Sequence, residues 1–141
     1  MSDVLERFGP ATQDWFRGAF AQPTAAQAGA WEAISHGRHA LVVAPTGSGK
    51  TLSAFLWAID RLAHQPDVRG TRVLYVSPLK ALAVDVERNL RTPLTGITRI
   101  AERDGLPAPR ISVGVRSGDT PPAQRRELIT RPPEILITTP E

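Results

Sequence analysis

Short apolar runs alternate along the chain with longer amphipathic stretches. Four runs read as strands: Ala40 to Val43, Val73 to Val76, Ile111 to Val115 and Ile135 to Ile137. They are rich in β-branched residues and nearly continuous, which is how strands covered on both faces read. Two stretches between them carry apolar residues at helical spacing. Thr51 to Ala63 presents Leu52, Phe55, Leu56, Ile59, Leu62 and Ala63, and Leu79 to Leu90 presents Leu79, Leu82, Ala83, Val86 and Leu90. Thr24 to Ser35 predicts a further helix, with Gly37 placed to end it. Pro121 to Thr130 predicts a shorter one, with Thr120 as its N-cap. Arg99 to Arg110 combines charge, glycine and two prolines and reads as a surface connection. Strands that alternate with helices predict an α/β fold with a mostly parallel sheet and helices on both faces. No internal repeat or second domain is visible.

Composition narrows this picture. The 141 residues are 41% hydrophobic, enough for one domain with a packed core. No apolar run approaches the roughly 18 residues of a membrane span. Met1 to Arg7 lacks a basic start followed by an apolar stretch, so no secretory signal is expected and the cytoplasm is the default compartment. The chain has no cysteine, which excludes disulfides, thiolate metal sites and cysteine nucleophiles. A net charge of +3 permits nucleic-acid binding without demanding it. Fifteen of the 17 cationic residues are arginine, and the two lysines, Lys50 and Lys80, both fall in segments with phosphate chemistry.

The clearest of those segments is Ala44-Pro45-Thr46-Gly47-Ser48-Gly49-Lys50-Thr51, between a predicted strand and a predicted helix. That is the context a phosphate-binding loop requires. Gly47 and Gly49 let the backbone curl so that its N–H groups face a phosphate. Thr46 and Ser48 complete the turn, Lys50 supplies a point charge, and the Thr51 hydroxyl can hold Mg²⁺. Ala44 stands where the common pattern has its first glycine. Upstream, Gln27 in Pro23-Thr24-Ala25-Ala26-Gln27 offers an amide with one donor and one acceptor side, suited to an adenine edge; the same segment also reads as a simple helix start.

Three further segments follow predicted strands: Ser77-Pro78-Leu79-Lys80-Ala81-Leu82-Ala83, Arg116-Ser117-Gly118-Asp119-Thr120, and Thr138-Thr139-Pro140-Glu141. In an open α/β sheet the carboxyl ends of strands are where ligands bind. Small hydroxyl residues, backbone N–H groups and a cation suit a sugar-phosphate backbone and do not read bases. Each segment singly also reads as an ordinary turn and cap.

In this order the segments resemble the first motor domain of superfamily 2 helicases of the DEAD/DEAH-like group, and their wording is most similar to the large helicase-related (Lhr) proteins. Pro23-Thr24-x-x-Gln27 resembles the Q motif, Ala44 to Thr51 motif I, Ser77 to Ala83 motif Ia, and Thr138 to Glu141 motif Ib. The resemblance covers about Phe8 to Glu141. It implies a RecA-like P-loop domain, ATP and Mg²⁺ as cofactors, and 3′-to-5′ translocation on single-stranded DNA or RNA with unwinding of duplexes or DNA–RNA hybrids. It implies that Gln27 contacts adenine beneath a stacking aromatic, for which Phe8 and Phe20 are both candidates. It places Lys80, Arg116, Thr120 and Thr139 along the nucleic-acid track.

The family pattern also calls for an Asp-Glu-x-His/Asp box that holds the metal and orients the attacking water, and no such box occurs in these residues. Asp60-Arg61-Leu62-Ala63-His64 lacks the glutamate and reads as a helix face. Residues 1–141 are therefore expected to be the N-terminal part of the ATP-binding domain. Its sheet is expected to be incomplete at the C-terminal end, and hydrolysis to depend on sequence beyond it. Two other classes share the phosphate loop. A small-molecule kinase needs an acceptor pocket and a basic lid, neither of which is visible. A nucleotide-binding module without catalysis needs neither.

Overall fold

A computed structural model describes residues 3–45, 49–65, 68–108 and 110–140. After a 3₁₀ turn at Val4–Arg7 come α1 (Pro10–Ala19), α2 (Ala25–Ser35), α3 (Lys50–Ala63), β1 (Val73–Val76), α4 (Lys80–Arg103), β2 (Val113–Arg116), α5 (Pro122–Thr130) and β3 (Ile135–Thr138). The strands form one parallel sheet in the order β1-β3-β2. The last strand thus inserts between the first two, and helical crossovers make the connections, as parallel pairing requires.

Register fixes the two faces. Val73, Ile135 and Val113 form one row and Tyr75, Ile137 and Val115 the next. These rows face the core, where Ile135 and Ile137 are fully buried with Phe55, Leu56 and Ile59 of α3 and Ala83, Val86, Leu90 and Ile97 of α4. Leu74, Leu136 and Gly114 alternate to the opposite face. There α5 covers the β2 end, because Gly114 admits a close approach: a Cβ on it would lie 2.6 Å from Leu128 Cδ2 and 2.9 Å from Pro133 Cγ. Leu74 and Val76 at the β1 edge stay exposed. At the amino edge Glu134 accepts from the N–H and hydroxyl of Ser112, and its carbonyl takes the N–H of Arg72 at 2.9 Å and of Val73 at 3.0 Å.

Two expectations are corrected. Ala40 to Val43 joins no sheet; Leu41 is 92% and Val43 84% exposed. The apolar run is present, but β1 pairs only with β3, and no described strand lies within reach of the run. The helix expected to end at Leu90 continues to Arg103, taking in the first residues of the expected connection. Its buried face, Ala83, Val86, Leu90, Pro93, Ile97 and Ala101, keeps helical spacing straight through Pro93. Packing of that stripe on α1 and α3 outweighs the interior proline, whose cost is about 3 kcal/mol. Gly105, at φ +69°, follows the helix end in the left-handed conformation.

The other predicted elements shift slightly. α3 begins at Lys50, α2 at Ala25, and β2 at Val113. α5 takes Pro121, not Thr120, as its N-cap. The sequence gave no forecast for α1, which packs on α4.

Candidate functional site

Two sets of residues gather at the ends of these elements. The first surrounds the start of α3. Thr46, Gly47 and Ser48 lie outside the described residues. Gly49 precedes the helix at φ +80°, a left-handed conformation that favours glycine. Lys50 and Thr51 open α3, where the free N–H groups of the first turn and the helix dipole favour an anion.

Gln27 reaches this turn from α2. Its N–H donates to Thr24 Oγ1 at 3.1 Å while its own Oε1 accepts the Thr24 N–H at 3.0 Å, a reciprocal capping box. Its Nε2 then donates to the Gly49 carbonyl at 3.2 Å. Ser53 also bonds that carbonyl, through its N–H at 3.1 Å and its hydroxyl at 3.3 Å. The fit is tight: a Cβ on Gly49 would stand 2.3 Å from Gln27 Nε2. Gln27 is buried with both ends of its amide engaged. In this arrangement it ties the helix start of one segment to the phosphate loop of another. An adenine contact would need one of those bonds to be exchanged.

The structure separates the two aromatic candidates. Phe8 is 3% exposed and meets Trp31 and Trp57 edge-on, each at 5.2 Å between ring centroids, so it belongs to the core. Phe20 is 43% exposed and rests against Phe16 at 4.9 Å and Trp15 at 6.0 Å. It lines a cleft of about 520 Å³ together with Gly49, Lys50, Thr51 and Asp85. Only Phe20 has a ring face open beside the phosphate loop.

The second set lies at the carboxyl edge of the sheet. Lys80 starts α4 after β1, and Asp119 sits in the turn after β2. Their side chains pair at 3.1 Å. Because β3 lies between those strands, the contact spans two strand spacings, roughly 9–10 Å. Arg116, at the end of β2, is exposed, and its carbonyl accepts the Thr138 hydroxyl at 2.8 Å.

The threonines behave differently from the expectation that they lie open on a track. Thr120 is buried, and its hydroxyl accepts the Ser117 N–H at 2.8 Å and approaches the Val115 carbonyl at 3.4 Å. It shapes the turn from inside. Thr139 is 5% exposed, and its hydroxyl is buried without a hydrogen-bond partner among the described residues. Glu141, the last residue of that segment, lies outside the described residues.

Residue-by-residue reading missed Arg125. From α5 its Nε donates to the Thr120 carbonyl at 2.9 Å, and its Nη2 to the carbonyls of Ser117 at 3.2 Å and Gly118 at 3.0 Å. Its only sequence signal was its place five residues beyond a turn, one of fifteen arginines. Among the described residues no cluster of three or more metal-ligating side chains occurs, and no helix is long and apolar enough to cross a membrane.

A parallel α/β sheet with Gly49-Lys50-Thr51 opening a helix and a cation-bearing carboxyl edge defines a nucleotide-binding domain of the phosphate-loop class. The DEAD/DEAH box helicase family model matches residues 24–141, and the chain belongs to that family. It is 72% identical over 99% of its length to the Lhr helicase of Mycolicibacterium smegmatis and 52% identical over 95% to the Lhr helicase/uracil glycosylase of Escherichia coli. It spans 9% of the length of each of those relatives. A solved structure of Mycobacterium smegmatis helicase Lhr bound to ssDNA and AMP-PNP superposes with a TM-score of 0.93 at 73% identity, over 99% of this chain and 18% of that one.

Proposed function

We propose that residues 1–141 are the N-terminal part of the ATP-binding domain of an ATP-dependent helicase that moves along single-stranded nucleic acid in the cytoplasm. The carrying observation is the arrangement at the start of α3. There Gln27 pins the Gly49 carbonyl, Lys50 and Thr51 enter the first turn, and Phe20 lines the adjoining cleft. Phe20 stacks on the adenine in this reading, and Gln27 senses the base while tethered to the loop. Lys50 neutralises the β- and γ-phosphates, and the Thr51 hydroxyl holds Mg²⁺. When bound, that ion neutralises charge developing on the transferred phosphate.

Single-stranded DNA is the first expected partner. The similar Mycobacterium helicase was solved with ssDNA and AMP-PNP, and Lys80 and Arg116 lie at the carboxyl edge where a backbone can run. RNA strands, DNA–RNA hybrids and 3′-to-5′ polarity follow from the resemblance to Lhr proteins. For the 141-residue piece alone the reading is narrower: nucleotide binding without turnover, since its sequence holds no Asp-Glu pair to hold a metal and orient a water.

ATP hydrolysis by the full-length protein should rise on addition of single-stranded DNA, and tailed duplexes should be displaced only from a 3′ tail. Lys50→Ala should abolish the stimulated turnover while leaving the melting temperature unchanged, because it removes a charge from an exposed position. Near-normal stimulated turnover in that variant would remove the basis for this reading.

A further inference from the structure

The guanidinium of Arg125 is used in an unusual way. It meets no carboxylate, and three carbonyl oxygens of one short turn, those of Ser117, Gly118 and Thr120, converge on it. The turn is also closed from inside. Ser117 N–H donates to Thr120 Oγ1 at 2.8 Å, Thr120 N–H to the Ser117 carbonyl at 3.2 Å, and Asp119 N–H to Ser117 Oγ at 3.2 Å. In a trans peptide the C=O and N–H point in opposite directions. Holding the Ser117 carbonyl on Arg125 therefore turns the Gly118 N–H away from it. That N–H has no hydrogen-bond partner among the described residues. Lys80 lies against the same residue, since a Cβ on Gly118 would be 3.6 Å from both Lys80 Cε and Nζ.

We propose that Arg125 is a positioning residue for nucleic-acid binding: it gathers the carbonyls of Ser117 to Thr120 on one side, so that the Gly118 N–H and the Lys80 ammonium are presented together to a phosphate of the strand. The inference rests on the reading that the strand crosses this edge, and it gives the turn its chemistry. Arg125 supplies order, and Lys80 supplies the charge that the phosphate neutralises. A rigid planar fork can serve three acceptors at once, whereas the single ammonium of a lysine cannot keep that geometry. The Lys80–Asp119 pair is exposed and salt-screened, so a phosphate can replace the carboxylate at little cost.

The test is fluorescence anisotropy of a labelled single-stranded DNA with the full-length protein at several salt concentrations. Wild type is compared with Lys80→Ala, Arg125→Ala and Arg125→Lys. Each phosphate released from a single strand flattens the log–log salt slope by about 0.7. Lys80→Ala should weaken binding and flatten the slope by about that amount. Arg125→Ala should weaken binding roughly tenfold, the scale of lost hydrogen bonds to a charged group, with the wild-type slope retained. Arg125→Lys should restore little of the loss. Amide exchange should quicken over residues 117–120 in both Arg125 variants and stay unchanged elsewhere, which separates a local effect from unfolding. If Arg125→Ala does unfold the protein, Arg125→Lys carries the same comparison.

If Arg125→Ala flattens the slope as Lys80→Ala does and Arg125→Lys restores binding, Arg125 grips phosphate itself and the positioning role is wrong. If the Arg125 variants bind like wild type while Lys80→Ala does not, the positioning role falls and the track stands. If Lys80→Ala changes neither affinity nor slope, the strand runs elsewhere and both fall.

Discussion

At the scale of single residues, placement sorts side chains that look equivalent in the sequence. Phe8 and Phe20 are both aromatic and both upstream of Gln27, yet one sits between two tryptophans and the other borders the phosphate loop. Phe20→Ala should raise the KM for ATP in the full-length protein by roughly tenfold, since stacking of a base on an aromatic ring is worth about 1–3 kcal/mol. Its melting temperature should move little. Phe8→Ala should do the reverse, costing about 3–5 kcal/mol of stability as a core deletion with nucleotide affinity unchanged wherever the protein stays folded. Parallel ATPase titrations and melts of the two variants check this; a larger KM effect from Phe8 would reverse the assignment. Gln27 shows a limit of the same kind. A glutamine at that spacing promises an amide for adenine, but both amide atoms are used to close the helix start and hold Gly49. Residue type gave the donor and acceptor, and only the neighbours show what already occupies them.

At the scale of elements, α4 shows how packing overrides a local signal. Pro93 reads as a helix stop, and it removes the N–H that would serve the Asn89 carbonyl. The helix nevertheless runs to Arg103, because the apolar stripe continues on both sides of the proline and α1 packs along it. That contact depends on Gly96. A Cβ there would stand 2.3 Å from Trp15 Cδ1 and Nε1, and Trp15 is itself held edge-on to Phe16 and Phe20. Replacing glycine by alanine in a helix ordinarily stabilises by roughly 0.5–1 kcal/mol. Overpacking a fitted contact costs about 1–3 kcal/mol, so the clash should win. Gly96→Ala should lower the urea midpoint of the full-length protein, and because Trp15 supports Phe20 it should also raise the KM for ATP. A raised midpoint would show that the indole moves aside freely.

At the scale of the whole molecule, the three-stranded sheet leaves apolar surface uncovered. The outer edge of β1 has no partner among the described residues, and Leu74, Val76, Leu79 and Leu82 are exposed, as are Leu41 and Val43 in their unpaired run. An open strand edge beside exposed leucine and valine is a template for association. Residues 1–141 produced alone should melt over a broad range and self-associate with rising concentration, while the full-length protein melts cooperatively. Sedimentation velocity and thermal melts of the two check this, and a monomeric, sharply melting 141-residue chain would count against it.

The sequence determined what is local. The Gly49-Lys50-Thr51 helix start, the capping residue Thr24, the stripe of α3 and the β-branched runs each follow from a few neighbouring residues, because sterics, caps and helical spacing act over a turn or two. It also carried the family, since the ordered motifs lie along the chain itself. Tertiary structure decided which of those local pieces meet. The insertion of β3 between β1 and β2, the unpaired state of Ala40 to Val43, the bond from Gln27 to Gly49 and the grip of Arg125 on the turn at Ser117 to Thr120 all need a partner to be in reach. Strand pairing and buried hydrogen bonds take their energy from such partners, and partners are supplied by the fold rather than by position in the chain.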